Sequence, residues 1–168
     1  MTAYLKVNGN SELEGDITAS GLEKTTQLLY AGFTIRRSIN TQVGNVGDRE
    51  GGAPFVSYFV IKKEVDKISP YLAREAASGI AIPAIEIKFA STAKELSIYH
   101  IIRLENVLIS SYSFNHDNRN NLASGAKPIE QINLSFTKVE IKNIPHDKYH
   151  TAGSPIIAGY DLETAKAL

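Results

Sequence analysis

The chain has no cysteine, no tryptophan, a single methionine and no net charge, since 18 lysine and arginine residues balance 18 aspartate and glutamate residues. Without thiols, disulfide frameworks, thiolate metal sites and cysteine nucleophiles are excluded, and packing alone must hold the fold. Without a surplus of positive charge there is no overall field to draw the chain onto nucleic acid or an anionic membrane. No apolar run approaches the roughly 20 residues of a membrane helix, so no membrane insertion is expected. The opening "MTAYLKVNGN" lacks the basic and apolar regions of a secretory signal, so a cytoplasmic beginning is expected.

What is present is an ordinary globular composition, 43% hydrophobic and 21% charged over 168 residues, enough for one domain spanning residues 1–168. Strand signals dominate. "YLKV" alternates Leu5 and Val7 against Lys6, and "NGNSELEGD" supplies a turn. Between Gln27 and Ile35 the apolar residues Leu29, Ala31, Phe33 and Ile35 recur with period two, predicting a second strand. In "FVSYFVIKKEV", Phe55, Phe59, Ile61 and Val65 share one face, while Val56, Tyr58 and Val60 share the other and are expected to meet a partner. "AIEIKFA" reads as a half-buried antiparallel strand, and "ELSIYHIIRLENVLISSYSF" as a pair of strands bent or bulged at Glu105 and Asn106. In "IEQINLSFTKVEI" the inward parity passes from Ile132, Leu134 and Phe136 to Val139 and Ile141, which predicts a bulge between them. Many short strands separated by turns predict a sandwich or a closed barrel over about residues 3–145, with an irregular tail at 146–168.

Two segments break this pattern. "INTQVGNVGDREGGAP", 39–54, is a long polar loop whose glycines lie between two strands, the wrong context for a dinucleotide fingerprint. "DKISPYLAREAASG", 66–79, is the one clear helix: Ser69 is placed to cap it, Pro70 suits its first position and Gly79 its left-handed stop. Ile68, Leu72, Ala73 and Ala76 form its apolar stripe, with Arg74 and Glu75 expected to face solvent or a neighbour. His116 beside Asp117, and His146 with His150, raise a metal or general-base reading. No third ligand accompanies either pair, and surface histidines are the reading adopted. No cofactor or catalytic residue is expected.

Three of these stretches together resemble a known family, the haemolysin-coregulated proteins (Hcp) that form the tube of the bacterial type VI secretion system. "DKISPYLAREAASG" is similar to the family's helix, "YHIIRLENVLISSYS" (99–113) to its long strand pair, and "EQINLSFTKVEIKN" (130–143) to its closing strand; Ile141 stands where many members carry an aromatic residue. The polar loop and the early "LEGDITASG" fall in the matching order. The resemblance implies a mainly β fold, a small antiparallel barrel of two sheets with one short α-helix and an extended loop. It also implies rings of six that stack into a hollow tube, with the spike protein, contractile sheath, baseplate and effector proteins as partners, and export without a cleaved signal. It places Asn45, Asp48, Arg49 and Glu50 in a ring-stacking loop, and Asn115, His116, Asp117 and Arg119 in a loop facing cargo in the lumen. Val56, Tyr58 and Val60 are then subunit contacts. The alternatives are a tail-tube protein of phage type and a monomeric ligand-binding barrel.

Overall fold

The computed structural model describes residues 1–39, 52–91, 96–115, 127–147 and 151–168. In chain order the strands are β1 (Thr2–Asn8), β2 (Thr26–Leu28), β3 (Tyr30–Gly32), β4 (Ile35–Arg36), β5 (Phe55–Val56) and β6 (Phe59–Glu64), then the helix α1 (Ser69–Ser78). After it come β7 (Ile82–Ser91), β8 (Ser97–Asn115), β9 (Ile129–Ser135), β10 (Lys138–Asn143), β11 (Ile156–Asp161) and β12 (Lys166–Ala167). All the pairings are antiparallel. A larger sheet runs β12-β11-β10-β8-β7-β1-β2, and a smaller one runs β3-β6-β9-β8, the two sharing β8. The mainly β fold of two sheets and one helix is therefore as the sequence predicts, although among the described residues the strands do not close into a continuous cylinder.

Strand β8 joins the sheets because its inward parity changes along its length. Ile102 and Leu104 are buried before Asn106, and Val107 and Ile109 after it. Asn106 has φ +51°, the left-handed region that asparagine tolerates better than most residues, so the chain turns there without losing strand pairing. The expected bend at Glu105–Asn106 thus lies within one 19-residue strand rather than between two. Residues up to 107 pair with β7 and β10, and residues 108–115 pair with β9.

The same passage between sheets explains the parity change after Phe136. Strand β9 ends at Ser135 and β10 starts at Lys138, so the chain leaves one sheet and enters the other, and no bulge is needed. The predicted second strand is likewise divided. Leu28 is buried at the end of β2, Leu29 is 53% exposed, and the chain then crosses to β3. Phe55, expected on the inner face with Phe59, is 55% exposed because Ser57 and Tyr58 separate β5 from β6. The expected irregular tail holds two strands: β11 pairs along β10, and β12 folds back on its end.

One core lies between the sheets. Leu5, Val7, Ile85, Ile87 and Leu104 from the larger sheet meet Phe59, Ile61, Ile132 and Leu134 from the smaller, and Ile68 and Leu72 add the apolar stripe of the helix. Burying each such side chain contributes about 1.5–3 kcal/mol. The helix begins one residue earlier than the sequence suggests. Ile68 occupies the cap position with no side-chain cap bond, Pro70 follows Ser69 inside the first turn, and Gly79 closes the helix at φ +67°. Glu75 is buried rather than solvated, taking a 2.8 Å contact from Arg74 Nη2, which also reaches Glu12 in the 3-10 turn Ser11–Leu13.

Candidate interaction surfaces

The helix is held to the smaller sheet by charge as well as by apolar contact. Lys63 follows Phe59 and Ile61 on the inner face of β6 and is fully buried. Its ammonium lies 2.7 Å from Asp66 Oδ1 and 2.8 Å from Glu130 Oε1, and it donates to the Glu64 carbonyl at 2.9 Å and to Ser69 Oγ at 3.3 Å. Ser69 Oγ accepts from the Asp66 N–H and donates to Glu130 Oε1, so the hydroxyl expected to cap the helix is committed to this cluster. Asp66 takes over the role at the helix start, accepting from Ile68 N–H at 3.1 Å. Tyr112 donates to Glu130 Oε2 at 2.6 Å, and the Thr26 hydroxyl donates to Asp66 Oδ2. Buried charge survives only when paired and hydrogen-bonded in this way.

The surroundings shift two of these groups. Partial burial pushes the Asp66 carboxyl upward, but its bonds from Lys63 and Thr26 outweigh that and hold it below its ordinary value. Burial, and then its bond to Glu130, push the Tyr112 hydroxyl up to about 12. A lowered acid contributes stability above its unfolded value of 3.8, lost as the pH falls through the folded value; a raised phenol contributes below 10, lost as the pH climbs to about 12. Urea midpoints are therefore expected to drop below pH 4 and again between pH 10 and 12, with Tyr112→Phe reducing the alkaline drop. An unchanged alkaline drop in that variant would assign it to other groups.

The outer faces of the two sheets differ in chemistry. Across the larger sheet, register places Glu140, Arg103, Glu86 and Lys6 side by side on four strands, charges alternating in sign. Arg103 contacts Glu86 at 3.2 Å and Glu105 at 3.1 Å, and Lys138 contacts Glu105 at 3.3 Å. At the centre of this face the charges satisfy one another. On the smaller sheet, register sets Val60 beside Asn133 and Ser111, and Lys62 beside Gln131 and Ser113, giving a face mostly of amides and hydroxyls with one exposed lysine. Strand β3 pairs only with β6, and residues 108–115 of β8 pair only with β9, so this sheet has two edges without a strand partner among the described residues.

Of the residues singled out from sequence, Val56, Tyr58 and Val60 do not share one strand face. Val60 is half-buried on the outer face of the smaller sheet. Val56 lies on the separate β4–β5 ribbon, leaning on the core margin, and Tyr58 is exposed between the two strands. Asn115 ends β8 opposite Ile129. Asn45, Asp48, Arg49, Glu50, His116, Asp117, Arg119 and His150 lie outside the described residues. His146 is fixed within its loop: Nδ1 donates to the Ile144 carbonyl at 2.9 Å, leaving Nε2 to accept from Ser97 Oγ at 2.7 Å. The cluster around Lys63 was missed. Its signal is a lysine at an inward parity position between Ile61 and Val65, matched by Glu130 two residues before Ile132.

Comparison with known proteins bears on these surfaces. A family profile described as "Type VI secretion system effector, Hcp" matches residues 4–142. Among curated proteins, none matches the chain. A solved structure of a type six secretion system protein superposes with a TM-score of 0.86 at 24% identity, covering 99% of each chain. Hcp1 from Salmonella typhimurium gives 0.74 at 20% identity, over 99% of this chain and 98% of that one. A type VI secretion system effector from Yersinia pestis gives 0.68 at 21% identity, over 95% and 98%. At these identities the superpositions establish the fold.

Proposed function

The chain belongs to the Hcp family, the structural and secreted ring-forming proteins of the type VI secretion system, and from that membership we propose that it is a tube subunit. Six copies form a ring, rings stack into a hollow tube, and the tube is exported with effector cargo in its lumen. The work is done by surfaces rather than by catalysis. Assembly takes place in the bacterial cytoplasm, where sheath, baseplate and spike are its partners, and the 168 residues act as one domain.

The observation that carries this reading is the smaller sheet, whose edge on each side has no strand partner among the described residues. A single open edge is a hazard that soluble proteins cover or blunt. Two edges on opposite sides of one sheet allow each copy to meet the next head-to-tail, and such a contact closes into a ring when its rotation divides the circle. The outer face of that sheet, mostly hydroxyls and amides with Lys62 among them, would then line the pore and meet cargo mainly through neutral polar groups. Asn115, His116, Asp117 and Arg119 are proposed to meet cargo there, and Val56, Tyr58 and Val60 to lie near subunit contacts. The loop at 39–54, with Asn45, Asp48, Arg49 and Glu50, is proposed to reach the adjacent ring.

Sedimentation of the purified chain is expected to show a species six times the 18.4 kDa monomer, visible as annular particles by electron microscopy. Deleting residues 44–52 is expected to leave these rings intact while shortening or abolishing tubes. Monomers alone across micromolar concentrations would refute the ring, and unchanged tubes after the deletion would refute the loop's role.

A further inference from the structure

The smaller sheet carries unlike features at its two ends. At the end marked by Gly32 and Phe59, strands β4 and β5 leave it as a separate two-stranded ribbon. Ile35 and Phe55 on this ribbon are 51% and 55% exposed. Arg36 lies over the Phe55 ring at 4.9 Å, and Arg37 Nε donates to the Gly52 carbonyl at 2.9 Å. Neither arginine has a carboxylate partner among the described residues. A two-stranded ribbon with apolar side chains in water is marginal by itself and gains stability from a surface to lie on.

The other end of the sheet lies at Glu64, roughly 17 Å along β6 at about 3.3 Å per residue. There a surface cavity of about 300 Å³ opens among Asp16, Gln27, Leu29, Glu64, Asp66 and Lys127. Three of its charged groups are carboxylates and one is an ammonium. Asp16 and Asp66 are engaged by Lys67 and Lys63, whereas Glu64 is exposed and has no ion-pair partner among the described residues. Leu29, 53% exposed, supplies an apolar rim.

We propose that the arginine-bearing ribbon of one copy docks at the cavity beside Glu64 of a second copy, Arg36 meeting Glu64 while Phe55, on the same ribbon face as Arg36, covers Leu29. This rests on the tube reading and deepens it by naming both halves of the contact between stacked rings. Donor and acceptor sit at opposite ends of one sheet, so a copy cannot fill its own cavity. The contact is heterologous and non-closing, the kind that propagates along an axis. Its charges lie at a solvent-exposed rim, so stacking weakens as salt shortens the Debye length.

The absence of native cysteine gives a direct test. In the full chain carrying both R36C and E64C, mild oxidation is expected to give a ladder of covalent multimers on a non-reducing gel. The single variants are expected to give none. Within one copy the two positions are too far apart for a disulfide, which needs Cα atoms within about 7 Å. Alongside it, R36E/R37E is expected to yield rings without tubes, and adding E64R to that chain is expected to restore tubes. Dimers from R36C alone would indicate head-to-head stacking and overturn the proposal. So would tubes that persist in R36E/R37E, or rings that assemble from the double-cysteine chain without a ladder. Failure of the unmodified chain to form rings would instead overturn the tube reading, and the docking with it.

Discussion

Replacing Lys63 by methionine is expected to destabilise the fold by about 3–5 kcal/mol, the usual loss when one partner of a buried ion pair is removed. The ammonium is fully buried between Asp66 and Glu130, at 2.7 and 2.8 Å. Methionine has nearly the same length and apolar stem, so packing changes little and the loss reports the stranded carboxylates. Urea unfolding at pH 7 measures it. Two further outcomes distinguish electrostatics from packing. Lowering the pH, which neutralises carboxylates left without their counter-ion, is expected to narrow the gap to the unmodified chain. The double variant Lys63→Met/Glu130→Gln is expected to recover part of the loss, since one uncompensated buried charge is gone. A loss below about 1 kcal/mol would mean that water or a rearranged side chain takes over the role of the lysine, and that the cluster does not anchor the helix.

Phe59→Ala is expected to cost a comparable 3–5 kcal/mol, through transfer free energy and the cavity left behind. Phe59 has no exposed surface; it stacks on Phe33 with ring centres 5.4 Å apart, and Phe33 meets Phe136 edge-on at 6.2 Å. These three rings close the core where the β4–β5 ribbon departs, so the truncation also loosens the ribbon's base. Phe59→Leu keeps most of the volume and is expected to lose less than about 1.5 kcal/mol. If alanine lost no more than leucine does, the site would have collapsed around the smaller side chain, and the ring cluster would not be what holds the ribbon to the body.

The helix was legible because its signals are local: a proline in the first turn, a glycine at the left-handed stop and an apolar stripe of Ile68 and Leu72. The strands were legible as alternation, and the bend at Asn106 as a polar pair interrupting an apolar run. The sharing of β8 between two sheets was not legible. Period two records that a residue faces inward but not which sheet it belongs to, so the chain's crossing after Phe136 resembled a bulge. The extension of the larger sheet by β11 escaped notice for a related reason. Ile156, Ile157 and Ala158 are all exposed, and a strand paired at an edge with no buried face carries no alternation to read.

By itself the amino-acid order determined the class of fold, the position of the helix, the exclusion of thiol chemistry and the family to which the chain belongs. Each of these is written in the identity and spacing of neighbouring residues. Only the tertiary structure decided that Lys63 is buried and joined to Glu130, 67 positions away, with Tyr112 and Thr26 completing the cluster. It also decided that Arg36 on the ribbon and Glu64, which has no ion-pair partner among the described residues, stand toward opposite ends of one sheet. The reason is physical: pairing of distant charges and the placement of sheet ends depend on strand order and register, which arise when the chain closes on itself and leave no periodic trace along it.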